Sequence, residues 1–183
     1  MRAQRRPAAW RAAAGLALLL AVAGCAPDAL DWSAVERMIA EEFPDVPGLT
    51  TRELAERLAA DPAGVVLLDA RAAGEFAVSH LPGAHHVGSD AAAATRLAAA
   101  APGAPLVRYC SVGYRSAALV ERLRGMGHMN AVNLEGSIFR WAAEGRPAYR
   151  GAVRVAQVHP YDDAWGALLP RPLWAFAPDA PAP

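Results

Sequence analysis

The sequence predicts an α/β domain with a mostly parallel central sheet flanked by helices. Residues 65–68, Val-Val-Leu-Leu, form an apolar run of strand length, which is typical of a strand buried on both faces. Short strands then alternate with amphipathic helices along the chain, as in a parallel sheet whose strands are connected by helices. A chain of 183 residues has room for one ordinary core and extensions to it.

The predicted elements follow in a regular order. A helix is expected over 33–43, capped by Ser33 and Glu36, and a second over 50–60, where Thr50 and Glu53 form a capping box. Later strands are expected at 106–109 and 131–134, and later helices at 91–100, 116–126 and 138–144. Asp69 and Cys110 each directly follow a strand, which is where sites gather in parallel sheets.

Charge and cysteine content exclude two classes of protein. Eighteen Arg balance 18 Asp and Glu, so the chain has no basic excess with which to bind nucleic acid. The two cysteines, Cys25 and Cys110, are too few for the disulfide framework of a small secreted domain.

Residues 1–24 are predicted to be a lipoprotein signal peptide. An arginine-rich leader precedes an uncharged run, 12–23, that is too short to span a bilayer. The run ends in Val-Ala-Gly-Cys at 22–25, which resembles the bacterial lipobox, in which the cysteine is lipidated and cleavage precedes it. The alternative is a plain signal peptide cut at small residues.

The lipobox resemblance leads to an expected location. We expect a lipid-anchored protein of the cell envelope that faces the periplasm and contacts the membrane through its anchor only. Ala26 and Pro27 provide no acidic retention signal, so the outer membrane is favoured in a Gram-negative host. Once Cys25 is lipidated, Cys110 is the remaining thiol of an exported protein, which invites a reactive role.

Three ordered motifs resemble the rhodanese family. Its DxR, EF and GHIPGA patterns are matched by Asp69, Ala70, Arg71, Glu75, Phe76 and 80–84, its CxxGxRS loop by 110–116, and its closing segment by residues between Gly127 and Pro147. The resemblance covers about Thr50 to Ala148. It divides the chain into the signal peptide 1–24, a linker and helix 25–49, a rhodanese domain 50–149 and a C-terminal extension 150–183.

The resemblance implies a sulfurtransferase. Cys110 would take sulfane sulfur from a donor such as thiosulfate and pass it, through a persulfide, to cyanide, a thiol or a protein acceptor. The loop cradle or substrate site would consist of Ser111, Val112, Gly113, Tyr114, Arg115 and Ser116, and the loop would be supported by Asp69, Arg71 and Glu75. No cofactor and no metal ion are expected. Independently of the family, a loop of amides feeding a helix N-terminus favours a thiolate.

Two alternatives stay open at the level of sequence. Arg115 lies five positions after Cys110, the sulfurtransferase spacing, whereas related phosphatases and arsenate reductases place it six positions after. This arginine could hold an anionic donor, or it could form a structural ion pair with Glu75 or Asp69. The whole domain could also be a non-catalytic binding module, although an intact Cys, Gly and Arg in the loop favour an enzyme.

Several residues depart from the family pattern. Ser79 and Ser137 replace glycines, the neighbouring His85 and His86 are unusual, and Arg108 lies in a normally apolar strand. The extension after 150 is too rich in aromatic and apolar residues for a disordered linker. We expect it to pack against the domain, and the first helix is a candidate for part of that contact; a docking surface for a partner protein is the alternative.

Overall fold

The computed structural model describes residues 30–87 and 103–178. Its strands are β1 Gly48–Leu49, β2 Val66–Asp69, β3 His85–His86, β4 Leu106–Tyr109, β5 Ala131–Leu134, β6 Ala148–Arg150 and β7 Val153–Val155. Its helices are α1 Trp32–Glu42, α2 Thr51–Ala60, α3 Ala73–Val78, α4 Tyr114–Gly125, α5 Ser137–Ala143 and α6 Asp163–Gly166, with 3-10 turns at Pro62–Gly64 and Arg171–Leu173. The predicted signal peptide, Cys25 and the helix predicted at 91–100 lie outside the described residues.

Five parallel strands form the central sheet in the order β1-β5-β4-β2-β3. The middle strand, β4, is buried along its whole length, and its Val107 lies between Leu67 of β2 and Val132 of β5. The predicted fold class is therefore confirmed, and the apolar run does form a strand, shifted by one residue. The hairpin of β6 and β7 spans the position at which the rhodanese domain was predicted to end.

The first helix begins one residue earlier than predicted and has a different cap. Asp31 accepts a hydrogen bond from the backbone N–H of Ala34 at 2.7 Å, and the hydroxyl of Ser33 also donates to Asp31, at 2.8 Å. Glu36 instead pairs with Arg140 at 2.6 Å. The capping box predicted for Ser33 and Glu36 is therefore wrong, because a carboxylate two residues before Ser33 caps the helix and Glu36 instead pairs with Arg140.

The capping box at the second helix is confirmed. Thr50 Oγ1 accepts from the N–H of Glu53 at 3.2 Å, and the N–H of Thr50 donates to Glu53 Oε2 at 2.9 Å. Two other helices begin earlier than predicted because a glycine with positive φ provides the cap. Gly113, with φ 114°, precedes α4, and Gly136, with φ 68°, precedes α5.

The core extends from the sheet into the C-terminal extension, 150–183, which is called the tail below. Its main cluster contains Leu67, Val107 and Trp141, and four buried residues of the tail join it: Val158, Leu168, Leu169 and Trp174. The expectation that the tail packs against the domain is confirmed. The tail also borders α1, because Leu30 and Trp32 line a groove with Leu168. No helix within the described ranges is both long enough and apolar enough to cross a membrane.

Candidate active site

The loop between β4 and α4 turns one of its own amides toward a buried thiol. Cys110 is 1% exposed, and its Sγ accepts a hydrogen bond from the N–H of Gly113 at 3.2 Å. The φ of 114° at Gly113 lies where L side chains are strained, so a glycine suits this turn. An amide at a helix N-terminus that donates to sulfur stabilises the anionic sulfur of a thiolate or persulfide.

Ser137 holds the start of the loop through its hydroxyl. Its hydroxyl accepts from the N–H of Cys110 at 3.1 Å and donates to the carbonyl of Leu134 at 3.0 Å. The first turn of α5 adds two bonds, from the N–H of Ile138 to the Cys110 carbonyl and from that of Phe139 to the Ser111 carbonyl. In the sequence, Ser137 stood out only because it replaces a glycine. Its hydroxyl was the feature that could have indicated a role in holding the loop.

Ser116 holds the other end of the loop. Its hydroxyl bonds to Asn133 Oδ1 at 2.7 Å and to the Gly113 carbonyl at 3.1 Å, and Asn133 Nδ2 donates to the same carbonyl at 3.1 Å. Ser116 therefore ties the loop to β5 and does not face the cavity over the thiol. The sequence placed Asn133 in the closing motif without a role.

Arg115 is held by the carboxylate of Glu75. Its two terminal nitrogens donate to Glu75 Oε2 at 3.2 Å and Oε1 at 3.0 Å, and one also bonds to the Ser111 hydroxyl at 3.1 Å. Of the two candidate partners, the structure pairs Arg115 with Glu75, while Asp69 pairs with Arg71. The guanidinium also borders the cavity over Cys110, so it supports the loop from a position beside that cavity.

The pair of Arg115 and Glu75 is electrostatically reinforced. Burial alone would raise the pKa of Glu75, but bonds from Arg115 and from the N–H of Ala72 hold that pKa below its usual value. Burial alone would lower the pKa of Arg115, but Glu75 and Cys110 together raise it. Both groups are therefore charged at neutral pH, and they form an ion pair beside the cavity.

Asp69 and Arg71 form a fully buried ion pair next to the loop rather than in it. Arg71 donates to the two Asp69 oxygens at 2.7 to 3.2 Å and to the Ser79 carbonyl at 2.6 Å. Both side chains are 0% exposed. The pair joins the end of β2 to the end of α3, the helix that carries Glu75, so it supports the loop indirectly.

A cavity of about 120 Å³ lies over the thiol. It is lined by Cys110, Ser111, Val112, Tyr114, Arg115, Tyr161 and Trp165. The first five are predicted site residues; Ser111 and Val112 are themselves buried in the loop. Tyr161 and Trp165 were not among the predicted site residues, because they belong to the tail and no local pattern shows which face of the domain the tail covers.

Two other departures from the family pattern are His86 and Arg108. His86 is bound through Nε2 to the Arg71 carbonyl at 2.8 Å, and Arg108 is fully buried in β4. Within residues 30–87 and 103–178, no three His, Cys, Asp or Glu side chains are grouped so that they could hold a metal ion.

Comparison with protein families identifies the domain. The model of the rhodanese-like domain matches residues 50–144, just over half of the chain. The chain belongs to the rhodanese-like family. This match ends before the tail that supplies Tyr161 and Trp165. The tail therefore contributes to the cavity from outside the segment that matches the family. No curated protein matches the chain.

Two solved structures share the fold of this chain, and a third is similar to it in sequence. A thiosulfate sulfurtransferase from Pseudomonas aeruginosa superposes with a TM-score of 0.54 at 24% identity, over 67% of this chain and 23% of that one. The Alr3790 protein from Anabaena superposes with a TM-score of 0.50 at 22% identity, over 55% of this chain and 80% of that one. A rhodanese-like domain protein from Staphylococcus aureus has 29% identity and a TM-score of 0.45, over 52% and 91%.

Proposed function

We propose that this protein is a sulfurtransferase that carries sulfane sulfur on Cys110. The observation that carries the proposal is the buried Cys110 thiol, which accepts the Gly113 amide at the N-terminus of α4 and borders a small cavity. A thiolate in such a place is a nucleophile, and the same amide then stabilises the persulfide that replaces it.

The proposed reaction has two transfers. The Cys110 thiolate attacks the outer sulfur of thiosulfate, a new S–S bond forms, and sulfite leaves with the electron pair of the broken S–S bond. A thiophilic acceptor such as cyanide then attacks the outer sulfur of the persulfide, thiocyanate leaves, and the Cys110 thiolate is restored. The net charge is conserved in each step, so neither transfer requires an oxidant or a cofactor.

Steady-state kinetics distinguish this enzyme from a non-catalytic binding module. Purified full-length protein, given thiosulfate and cyanide, should release thiocyanate with the parallel-line pattern of a two-step exchange through a covalent intermediate. Thiocyanate release that stays at the uncatalysed rate at every donor and acceptor concentration would overturn the enzymatic proposal in favour of a binding module.

Arg115→Lys should weaken both the donor site and the loop. Lysine keeps the charge but loses the planar fork that contacts Glu75 and Ser111, so we expect the thiosulfate KM to rise about tenfold. Loss of part of the Glu75 pair should lower stability by about 1 kcal/mol, because the arginine is partly exposed. Initial rates and thermal melting measure the two effects.

Arg52→Lys is the matched control, because its pair with Glu56 lies on the exposed face of α2. It should leave both KM and melting temperature unchanged. An Arg115→Lys protein that melts early but keeps the wild-type KM would assign Arg115 a structural role alone.

We also propose that Cys25 is lipidated and anchors the protein in the cell envelope, facing the periplasm. This proposal rests on the sequence Val-Ala-Gly-Cys at 22–25 after the uncharged run. Expressed in a bacterial host, the protein should sediment with membranes and incorporate labelled palmitate, while Cys25→Ala should do neither. Cys110→Ser is the control and should still be labelled. Continued acylation of Cys25→Ala would disprove the lipobox.

A further inference from the structure

The C-terminal tail supplies one wall of the Cys110 cavity. Tyr161 and Trp165 line that cavity together with the loop, although both lie beyond the residues that match the rhodanese-like family. The Tyr161 ring lies 4.9 Å from Cζ of Arg115, so it covers the guanidinium that Glu75 holds from another side. The wall is therefore aromatic and rests directly on the proposed site.

The wall is built on the core. Val158 pairs with the far end of the tail through the bond from its N–H to the Leu173 carbonyl, at 2.6 Å, and the bond from the Ala175 N–H to its own carbonyl, at 3.1 Å. Trp174 is buried in the core, and its ring lies so close to Gly166 that any side chain at 166 would overlap it. Trp165, the neighbour of Gly166, is partly buried and packs against the same core cluster.

The backbone at Tyr161 is held in an unusual conformation. Its φ of 70° lies in the left-handed region, which is rare for a bulky side chain. The N–H of Tyr161 donates to His159 Nδ1 at 3.0 Å, and the next residue, Asp162, accepts from the N–H of Trp165 at 2.8 Å. Backbone strain of this kind persists where the surrounding structure imposes it, and it is common at ligand-binding sites.

We propose that Tyr161 and Trp165 determine substrate size, restricting Cys110 to small sulfur anions and small thiols and excluding bulky persulfides and protein acceptors. The cavity of about 120 Å³ is smaller than the cavity of about 150 Å³ known to admit a benzene molecule. Polarisable sulfur also makes favourable contacts with aromatic rings. This inference rests on the proposed sulfur transfer, but the wall can be tested without it.

Alkylation measures access to Cys110 independently of turnover. The full-length protein is treated with N-methylmaleimide or with a maleimide carrying a long polyethylene glycol chain, and tryptic peptide 109–115, which contains Cys110, is quantified by mass spectrometry. The preference is the alkylation rate with the small reagent divided by the rate with the large one. In the wild type this ratio should be at least tenfold greater than it is for free cysteine. Trp165→Ala should bring this preference close to that of free cysteine, and Tyr161→Ala should reduce it severalfold.

Val153→Ala is the control, because Val153 is an exposed apolar residue of the same C-terminal extension that does not line the cavity. It should keep the wild-type preference. A wild type without size preference, a preference unchanged in both wall variants, or a Cys110 that reacts with neither reagent in any variant would overturn the proposal. Tyr161 is about half exposed, so its variant tests the wall even if Trp165→Ala does not fold.

Kinetics with two donors of different size distinguish a failure of the wall proposal from a failure of the proposed function. Trp165→Ala should raise kcat/KM for glutathione persulfide at least tenfold while that for thiosulfate stays within threefold. An active wild type whose selectivity does not change in Trp165→Ala would overturn the wall alone. A wild type that accepts sulfur from neither donor would overturn the proposed function, and the alkylation ratio would still decide whether the wall controls access.

Discussion

Cys110→Ser is expected to lower thiocyanate production on the order of 10³-fold or more, because a serine hydroxyl at neutral pH is a far weaker nucleophile than a thiolate and cannot form a persulfide. The variant should fold normally. A serine oxygen has nearly the same position as the sulfur and can accept the same N–H of Gly113. Thiocyanate release and thermal melting, measured on the same preparations, check both statements.

Cys25→Ser provides the matched control, since it removes the other cysteine of the chain. In detergent-solubilised protein it should retain wild-type turnover, because the proposed chemistry uses Cys110 alone. Turnover that survives in Cys110→Ser, or that disappears in Cys25→Ser, would show that Cys110 alone does not carry the transferred sulfur.

Asp69→Ala should cause the largest loss of stability. It leaves the guanidinium of Arg71 fully buried without the carboxylate that accepts its hydrogen bonds. Breaking a buried pair from one side costs about 3 to 5 kcal/mol, which corresponds to a fall of roughly 10 °C in melting temperature for a domain of this size. Denaturant unfolding and thermal melting measure the loss.

Glu56→Ala removes an exposed ion pair on α2 and serves as the control for Asp69→Ala. It should change the free energy of unfolding by no more than about 0.5 kcal/mol. If Asp69→Ala were as stable as this control, the buried pair would not be what fixes the end of β2 and the helix that carries Glu75.

The sequence predicts the parts of this fold that depend on local pattern. The central strands β2, β4 and β5 are mostly buried, although β4 contains Arg108 and β5 contains Asn133, and all three were located to within one residue. The two-residue edge strands β1 and β3 are too short to show any period, and they form only because a neighbouring strand offers hydrogen bonds. Edge strands of this length cannot be predicted without the sheet.

The predicted site was less complete than the predicted fold. The Cys110 loop carries its own signature, so its residues could be found in sequence, and the hydroxyl at Ser137 could be noticed but not interpreted. Tyr161 and Trp165 could not be found, because they lie some fifty residues beyond Cys110 and reach it through the packing of the tail against the core. Such contacts depend on tertiary packing and leave no periodic trace in the chain.

The central claim is that Cys110 carries the transferred sulfur, and mass spectrometry of peptide 109–115 tests it most directly. The full-length protein is incubated with thiosulfate, trapped by alkylation and digested, and a second sample receives cyanide before trapping. The account predicts that this peptide gains the mass of one sulfur atom with thiosulfate and loses it with cyanide. A protein that releases thiocyanate while this peptide never gains sulfur would contradict the account.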